Sequence, residues 1–334
     1  MRRAVLFIAA AVLVLGWLLR AGGKPGLVVY CAHDSIYADA ILRDFTKQTG
    51  IAVAARYDTE ATKSLGLIEL LVREKNAPRC DVFWNNELAG TLDLQEKGLL
   101  VPYRGPGWQR IPAGYKDAVG NWSGFAARMR VQIYNTQKIA PPANQAPEPV
   151  RDLSRFAIAR PLYGTTLTHY AFLWQRWGRD KTISWHRDWR ARGVRELNGN
   201  AAVKDAVAEG VCDAGFTDTD DFFEAKDAGK PVAMQPVQLE DGATICIPNT
   251  VAIIRGTRRE NDARRLVDFL LSAETELALA RSKSRQIPLG PVPVDQVPAE
   301  VRELQAAAQR GAPLTNLLPA RNECLAWLKS EELK

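Results

Sequence analysis

Three times within the first hundred residues, a short apolar run hands over through polar residues to a stretch with helical periodicity. Leu27–Cys31 passes through His33-Asp34-Ser35 into residues 35–48, where Tyr37, Ile41 and Phe45 recur at i, i+4 and i+8. Residues 51–57 pass through Asp58-Thr59-Glu60 into a second helix at about 61–75. Residues 81–84 pass through Asn85-Asn86-Glu87 into a third helix running to Lys97. Alternating short strands and helices require a parallel sheet with right-handed crossovers, so the expected class is α/β. The polar linkers then gather along one edge of the sheet. Ser, Asp and Asn are favoured helix caps, but capping does not explain why His33 and Glu87 should lie there.

The same logic singles out residues 198–232, NGNAAVKDAVAEGVCDAGFTDTDDFFEAKDAGKPV. Val203 and Val207 mark a helix that Gly210 closes, residues 211–216 read as a buried strand, and a new helical pattern starts at Phe222. Ligands of open α/β sheets sit beyond the carboxyl ends of the strands. That makes Asp218, Asp220 and Asp221 a candidate half-site. Helix capping and the helix dipole explain one or two of these acids, and Asp221 with Glu224 resembles a capping box. Three carboxylates within a few residues exceed what capping needs, because like charges ~4 Å apart repel by roughly 1 kcal/mol even in water. A cation, an amine or a polar ligand would offset that repulsion.

Residues 125–134 alternate Arg128, Arg130 and Gln132 with Ala127, Met129, Val131 and Ile133, as a half-buried strand would. Residues 141–149 form a Pro-rich connector. Thr165, Thr166 and Thr168 open a helix rich in aromatic residues; its N-terminus offers N–H groups and hydroxyls to an anion, or simply caps itself. Residues 231–239 and 243–254 read as extended, 264–271 and 274–280 as helical, and the tail from Glu300 as helical again.

A length of 334 residues suffices for two domains. Residues 1–20 have the form of an export signal: Arg2-Arg3, then an apolar stretch from Ala4 to Leu19, with an uncleaved anchor as the other reading. Arg2, Arg3, Arg20 and Lys24 all precede residue 27, so most of the net charge of +6 belongs to that segment. No Lys/Arg stripe interleaved with aromatics remains to suggest nucleic acid. The five cysteines are widely spaced with no CxxC pair, which fits buried thiols better than a metal site. His169 and His186 lie among Trp residues and read as packing or surface residues. G-x-S-x-G, H-E-x-x-H, Walker A and G-x-G-x-x-G motifs are absent, so the residues favour a binder over an enzyme.

An ordered set of segments resembles the periplasmic solute-binding proteins of ABC importers, in their type II, ferric-ion-binding-like branch. The resemblance is carried by LVVYCAHDSIYADAILRDFTKQTGI (27–51), CDVFWNNELAGTLDLQEKGLL (80–100), GFAARMRVQIYNT (124–136) and FAIARPLYGTTLTHYAFLW (156–174). NGNAAVKDAVAEGVCDAGFTDTDD (198–221) and ATICIPNTVAII (243–254) continue it. It implies a two-lobed type II periplasmic-binding-protein fold, each lobe a mainly parallel sheet flanked by helices, joined by crossing hinge strands that close on ligand. Residues 27–124 with 246–290 would form lobe 1, and 125–245 with 291–334 lobe 2, after a signal or anchor at 1–26.

In iron-binding members a His, a Glu and two adjacent Tyr hold the metal, and an Arg often holds an accompanying anion. Carried over, His33 (or Asp34), Glu87 and Arg130 match, while Asp220-Asp221 stand where the Tyr pair would be. The implied metal set is His33, Glu87, Asp220 and Asp221, with Fe³⁺ or another hard cation as cargo and no cofactor required. The implied binding residues are His33, Asp34, Ser35, Glu60, Asn86 and Glu87 from lobe 1, and Arg130, Thr165, Thr166, Asp218, Asp220 and Asp221 from lobe 2. Expected partners are a small polar ligand and an inner-membrane ABC permease, for an exported, periplasmic monomer that binds no nucleic acid. An organic zwitterion or phosphorylated metabolite, such as an aminophosphonate, is the alternative cargo. A membrane-anchored sensor, or an enzyme on the same fold, is the alternative class.

Overall fold

The computed structural model describes residues 26–58, 65–139, 152–314 and 317–333. Its first part follows the strand–helix alternation of the sequence: β1 (Leu27–Cys31), α1 (Ser35–Thr49), β2 (Val53–Tyr57), α2 (Leu65–Arg73), β3 (Val82–Asn85) and α3 (Ala89–Glu96). α1 buries Ala38, Ile41, Leu42 and Phe45 along one stripe, and Gly50, at φ 72°, ends it in the left-handed conformation glycine tolerates. β1 lies between β2 and β3 and pairs parallel with both. Beyond β3 the chain adds β4 (Leu100–Val101), α4 (Pro106–Arg110) and the long β5 (Ser123–Asn135).

The second part repeats the pattern with β6 (Phe156–Ala159), α5 (Gly164–Trp177), α6 (Arg179–Ala191), β7 (Arg195–Leu197), α7 (Asn200–Ala208), β8 (Ala214–Asp218) and α8 (Thr219–Asp227). β9 (Val232–Pro236) and β10 (Cys246–Ile254) follow, and then α9 (Glu260–Leu270), α10 (Ala273–Arg281), α11 (Ala299–Ala308) and α12 (Leu317–Glu332). β6 pairs parallel with β7 and β8. The strand order is β2-β1-β3-β10-β5-β8-β6-β7, with β4 beside β10 and β9 beside β5. Two parallel groups therefore flank β10 and β5, which run antiparallel to each other and to their outer neighbours.

β5 is shared between the two groups. Its residues from Ser123 to Met129 pair with β10, and those from Arg130 onward pair with β8 and β9. That position explains a departure from the expected half-buried strand. Every residue of β5 except Gln132 is buried, the arginines included. A strand crossing between two layers has both faces covered, so its polar residues face other protein rather than water.

Two further boundaries differ from expectation. β8 starts at Ala214 rather than at 211, since the chain is still turning after Gly210 and Val211 is 49% exposed. α8 begins at Thr219 rather than Phe222. All five cysteines are buried free thiols, and His169 and His186 are both buried among aromatic rings. Among the described residues no helix is long and apolar enough to cross a membrane; Ala4–Leu19 and the connector at 141–149 lie outside them.

Candidate functional site

With α8 starting at Thr219, the acidic stretch is split between a strand end and a first helical turn. Asp220 and Asp221 sit where the helix dipole favours negative charge. Asp218 occupies the N-cap position of α8 but makes no side-chain cap bond. Its carboxylate turns inward instead. Oδ1 accepts from Arg130 Nη1 at 2.8 Å, and Oδ2 accepts from Thr165 Oγ1 at 2.6 Å and Asn200 Nδ2 at 2.9 Å. Arg130 Nη1 also donates to Asn200 Oδ1 at 3.0 Å, and Thr166 Oγ1 donates to the same oxygen at 3.2 Å. The β8 end and the starts of α5 and α7 thus meet on one buried guanidinium.

Arg128 repeats the arrangement two residues earlier, its Nη1 lying 3.3 Å from Asp220 Oδ2. Burial works against its charge, but Asp220, Asp218, Asp34 and Asp221 outweigh burial and hold the guanidinium above its usual range. Arg128 Nε and Arg130 Nε and Nη2 are buried without a hydrogen-bond partner among the described residues. Unmet donors on a buried cation are costly and call for an oxyanion or water.

Asp218, Asp220 and Asp221 bring one carboxylate oxygen each within 4.8 Å of one another, the one such His/Cys/Asp/Glu group among the described residues. Asp221 accepts from Thr217 Oγ1 at 2.7 Å. Burial, then the charges of Asp220 and Asp218, push its carboxyl up to about 8. Burial also raises Asp220, opposed by Arg128 and reinforced by Asp218 and Asp34. Asp34, from the β1–α1 loop, is the acid of the first part that acts on this cluster. It stands at the N-cap position of α1 without a side-chain cap bond. Tyr37, one turn on, is raised by burial and then by Asp34, Asp220 and Glu224.

The other residues singled out from sequence are placed differently. Glu87 is buried beneath α3, with Oε2 accepting from Ala89 N at 2.6 Å and Oε1 from Gly90 N at 2.8 Å. Burial raises its pKa, and the charge acting on it most is that of Arg321. His33 stacks on Trp84, ring centroids 5.3 Å apart. Ser35 is exposed on the first turn of α1, Asn86 is half-buried, and Glu60 lies outside the described residues. Sequence reasoning missed Arg128, Asn200, Thr217 and Tyr37. Arg128 had a signal: it shares a strand face with Arg130, two residues away.

Two parallel α/β groups joined by crossing strands, with polar groups at strand ends, define a two-lobed α/β fold. The chain belongs to the bacterial extracellular solute-binding protein family, whose model matches residues 27–282. It is 26% identical to an Fe(3+)-binding periplasmic protein of Serratia marcescens over 217 residues, which span 63% of this chain and 62% of that one. It is 23% identical to iron uptake protein A1 of a Synechocystis species over 290 residues, 83% of this chain and 78% of that one. The fold superposes on iron-bound HitA of Pseudomonas aeruginosa with a TM-score of 0.76 at 21% identity, covering 92% of this chain and 99% of that one.

Proposed function

We propose that this protein is the exported receptor of an ABC import system, periplasmic in location, which hands its cargo to an inner-membrane permease. The lobes are residues 27–124 with 246–290 and residues 125–245 with 291–334. The cargo is a ferric ion or other hard cation, taken with a small oxyanion. One observation carries this reading: three carboxylate oxygens within 4.8 Å of one another, beside buried guanidinium donors that lack partners. Carboxylates are hard donors suited to such cations, and the open N–H groups of Arg128 and Arg130 suit the anion. The Serratia and Synechocystis relatives, both named for iron, support the same cargo class. Asp220 and Asp221 replace the tyrosines of the iron-binding pattern, so the site relies on carboxylate rather than phenolate. Asp34 supplies the facing negative charge.

The test is native mass spectrometry with elemental analysis of protein purified without added metal, followed by thermal melts with ferric citrate and a panel of divalent and trivalent cations. A bound cation raises Tm in proportion to RT ln(1 + [L]/Kd), and a chelator reverses the shift. Asp220→Ala should remove the shift and leave the apo protein folded. A shift given only by phosphorylated or zwitterionic organic compounds, and indifferent to chelator, would overturn the cation reading.

A further inference from the structure

The pairing of β5 with β10 is irregular at one place. Pro248 pairs with Ala127 and Asn249 with Phe125, so Ala126 is an extra residue on β5. Its φ is 41°, in the left-handed region that alanine seldom occupies. A conformation of that kind persists only where its surroundings enforce it, and two fully buried side chains do so here. Glu276 Oε1 accepts the Ala126 N–H at 2.9 Å, and Asn249 Nδ2 donates to the Ala126 carbonyl.

The bonds from this point extend in two directions. Asn249 Nδ2 also donates to Gln286 Oε1 at 2.9 Å, and the adjacent Ile287 exchanges backbone bonds with Ala127 at 2.7 and 2.8 Å. Three chain segments therefore converge at one level, where the sheet passes from one parallel group to the other. In the opposite direction, Asn249 Oδ1 accepts from Trp84 Nε1 at 3.4 Å, and Trp84 stacks on His33 with an interplanar angle of 15°. His33 precedes Asp34, so a continuous series of contacts runs from the acid-bearing loop to the strained residue. Gln286 Nε2 is buried with no hydrogen-bond partner among the described residues, an unused donor available to a second arrangement.

We infer that Ala126 is the pivot of the lobe motion, and that Asn249 is the positioning residue that holds it and ties it through Trp84 to the His33–Asp34 loop. This concerns movement rather than cargo, so it stands or falls separately from the cation reading. Spin labels at Lys47→Cys on α1 and Glu209→Cys at the end of α7 would report the interlobe distance; both positions are exposed, and the five native thiols are buried. The measurement is made on ligand-free protein. Asn249→Leu removes all three amide bonds, and Ala126→Gly removes the strain while keeping every side-chain clamp. Each should shift the distance distribution by more than its wild-type width, and Trp84→Phe should do so in the Asn249→Leu direction. Leu153→Ala, a buried side chain in the separate hydrophobic cluster around β6, should lower the unfolding midpoint and leave the distances unchanged. Should Asn249→Leu prove unable to fold, Ala126→Gly decides alone. Wild-type distances in the folded variants, even with a lowered unfolding midpoint, would reduce Asn249 to a packing role and overturn the inference.

Discussion

Arg128 and Asp220 meet at 3.3 Å, and their neighbours two positions on and two positions back, Arg130 and Asp218, meet at 2.8 Å. Antiparallel pairing of β5 with β8, which sets Arg130 opposite Asp218, produces this double match. Two guanidiniums therefore balance two of the three clustered carboxylates, and Asp221 is the acid left over. Under the proposed cation reading, a bound charge would be met at Asp221 rather than at Arg130 Nη1, which is already bonded.

The surplus acid makes a pH prediction. Asp221 is raised to about 8, so the folded state holds a proton that the unfolded chain has already lost. Stability from this group is fully present below about pH 4 and is lost as pH rises through about 8. Asp221→Asn should flatten that decline, gaining about 1–2 kcal/mol over wild type at pH 8.5 and little at pH 4. Urea midpoints across pH 4–9 measure it; parallel curves for the two proteins would show that Asp221 is not the titrating group.

The strand–helix order of the first hundred residues and the role of β8 were legible because apolar period and polar breaks carry them directly. The burial of Arg128 and Arg130 was not. Alternation along β5 looks the same whether the polar face meets water or α8, and only the crossing position of the strand distinguishes the two. Glu87 illustrates the converse. Its place after a strand fits a ligand, and its oxygens accept from the first turn of α3, a capping role that strand–helix junctions also select, so the position alone does not separate the two. Thr219 marks the start of α8 through a long-range bond, its Oγ1 accepting from Met129 N at 3.2 Å, which no local pattern encodes.

Removing Arg128 should be felt in stability and in charge. Arg128→Leu leaves Asp220 without its cation among Asp218, Asp221 and Asp34, and should cost about 2–4 kcal/mol at pH 7.5. The loss measured at pH 5 should be smaller, because burial raises the Asp220 carboxyl above its ordinary value and lower pH favours its neutral form. Equal losses at both pH values would mean that the side chain matters through packing alone.

Asp218 should be the least replaceable of the three acids. Arg130 is fully buried and depends on it, and Thr165 and Asn200 also donate to it. Asp218→Ala should destabilise by about 3–5 kcal/mol, the usual result of stranding a buried charge, whereas Asp220→Ala, whose side chain is 20% exposed, should cost less. Chemical unfolding of the two variants without ligand ranks them, and the reverse order would refute Asp218 as the acid that holds Arg130 in place.

α12 makes the last case. It packs along α5 through Cys324, Trp327 and Leu328, with Trp174 Nε1 donating to Glu323 Oε2 at 3.2 Å and Arg187 bonding both oxygens of Glu331. On its other side Arg321 Nη1 donates to Asp93 Oδ1 of α3 at 3.0 Å, with both side chains mostly buried. One helix therefore touches both parallel groups, and the pair resists their separation. Arg321→Ala and Asp93→Ala should each lose about 1–3 kcal/mol, and the double variant should lose no more than the worse single one, a coupling of about 1–2 kcal/mol. Additive losses in that cycle would show that Arg321 and Asp93 act independently and that α12 does not strap the two groups together.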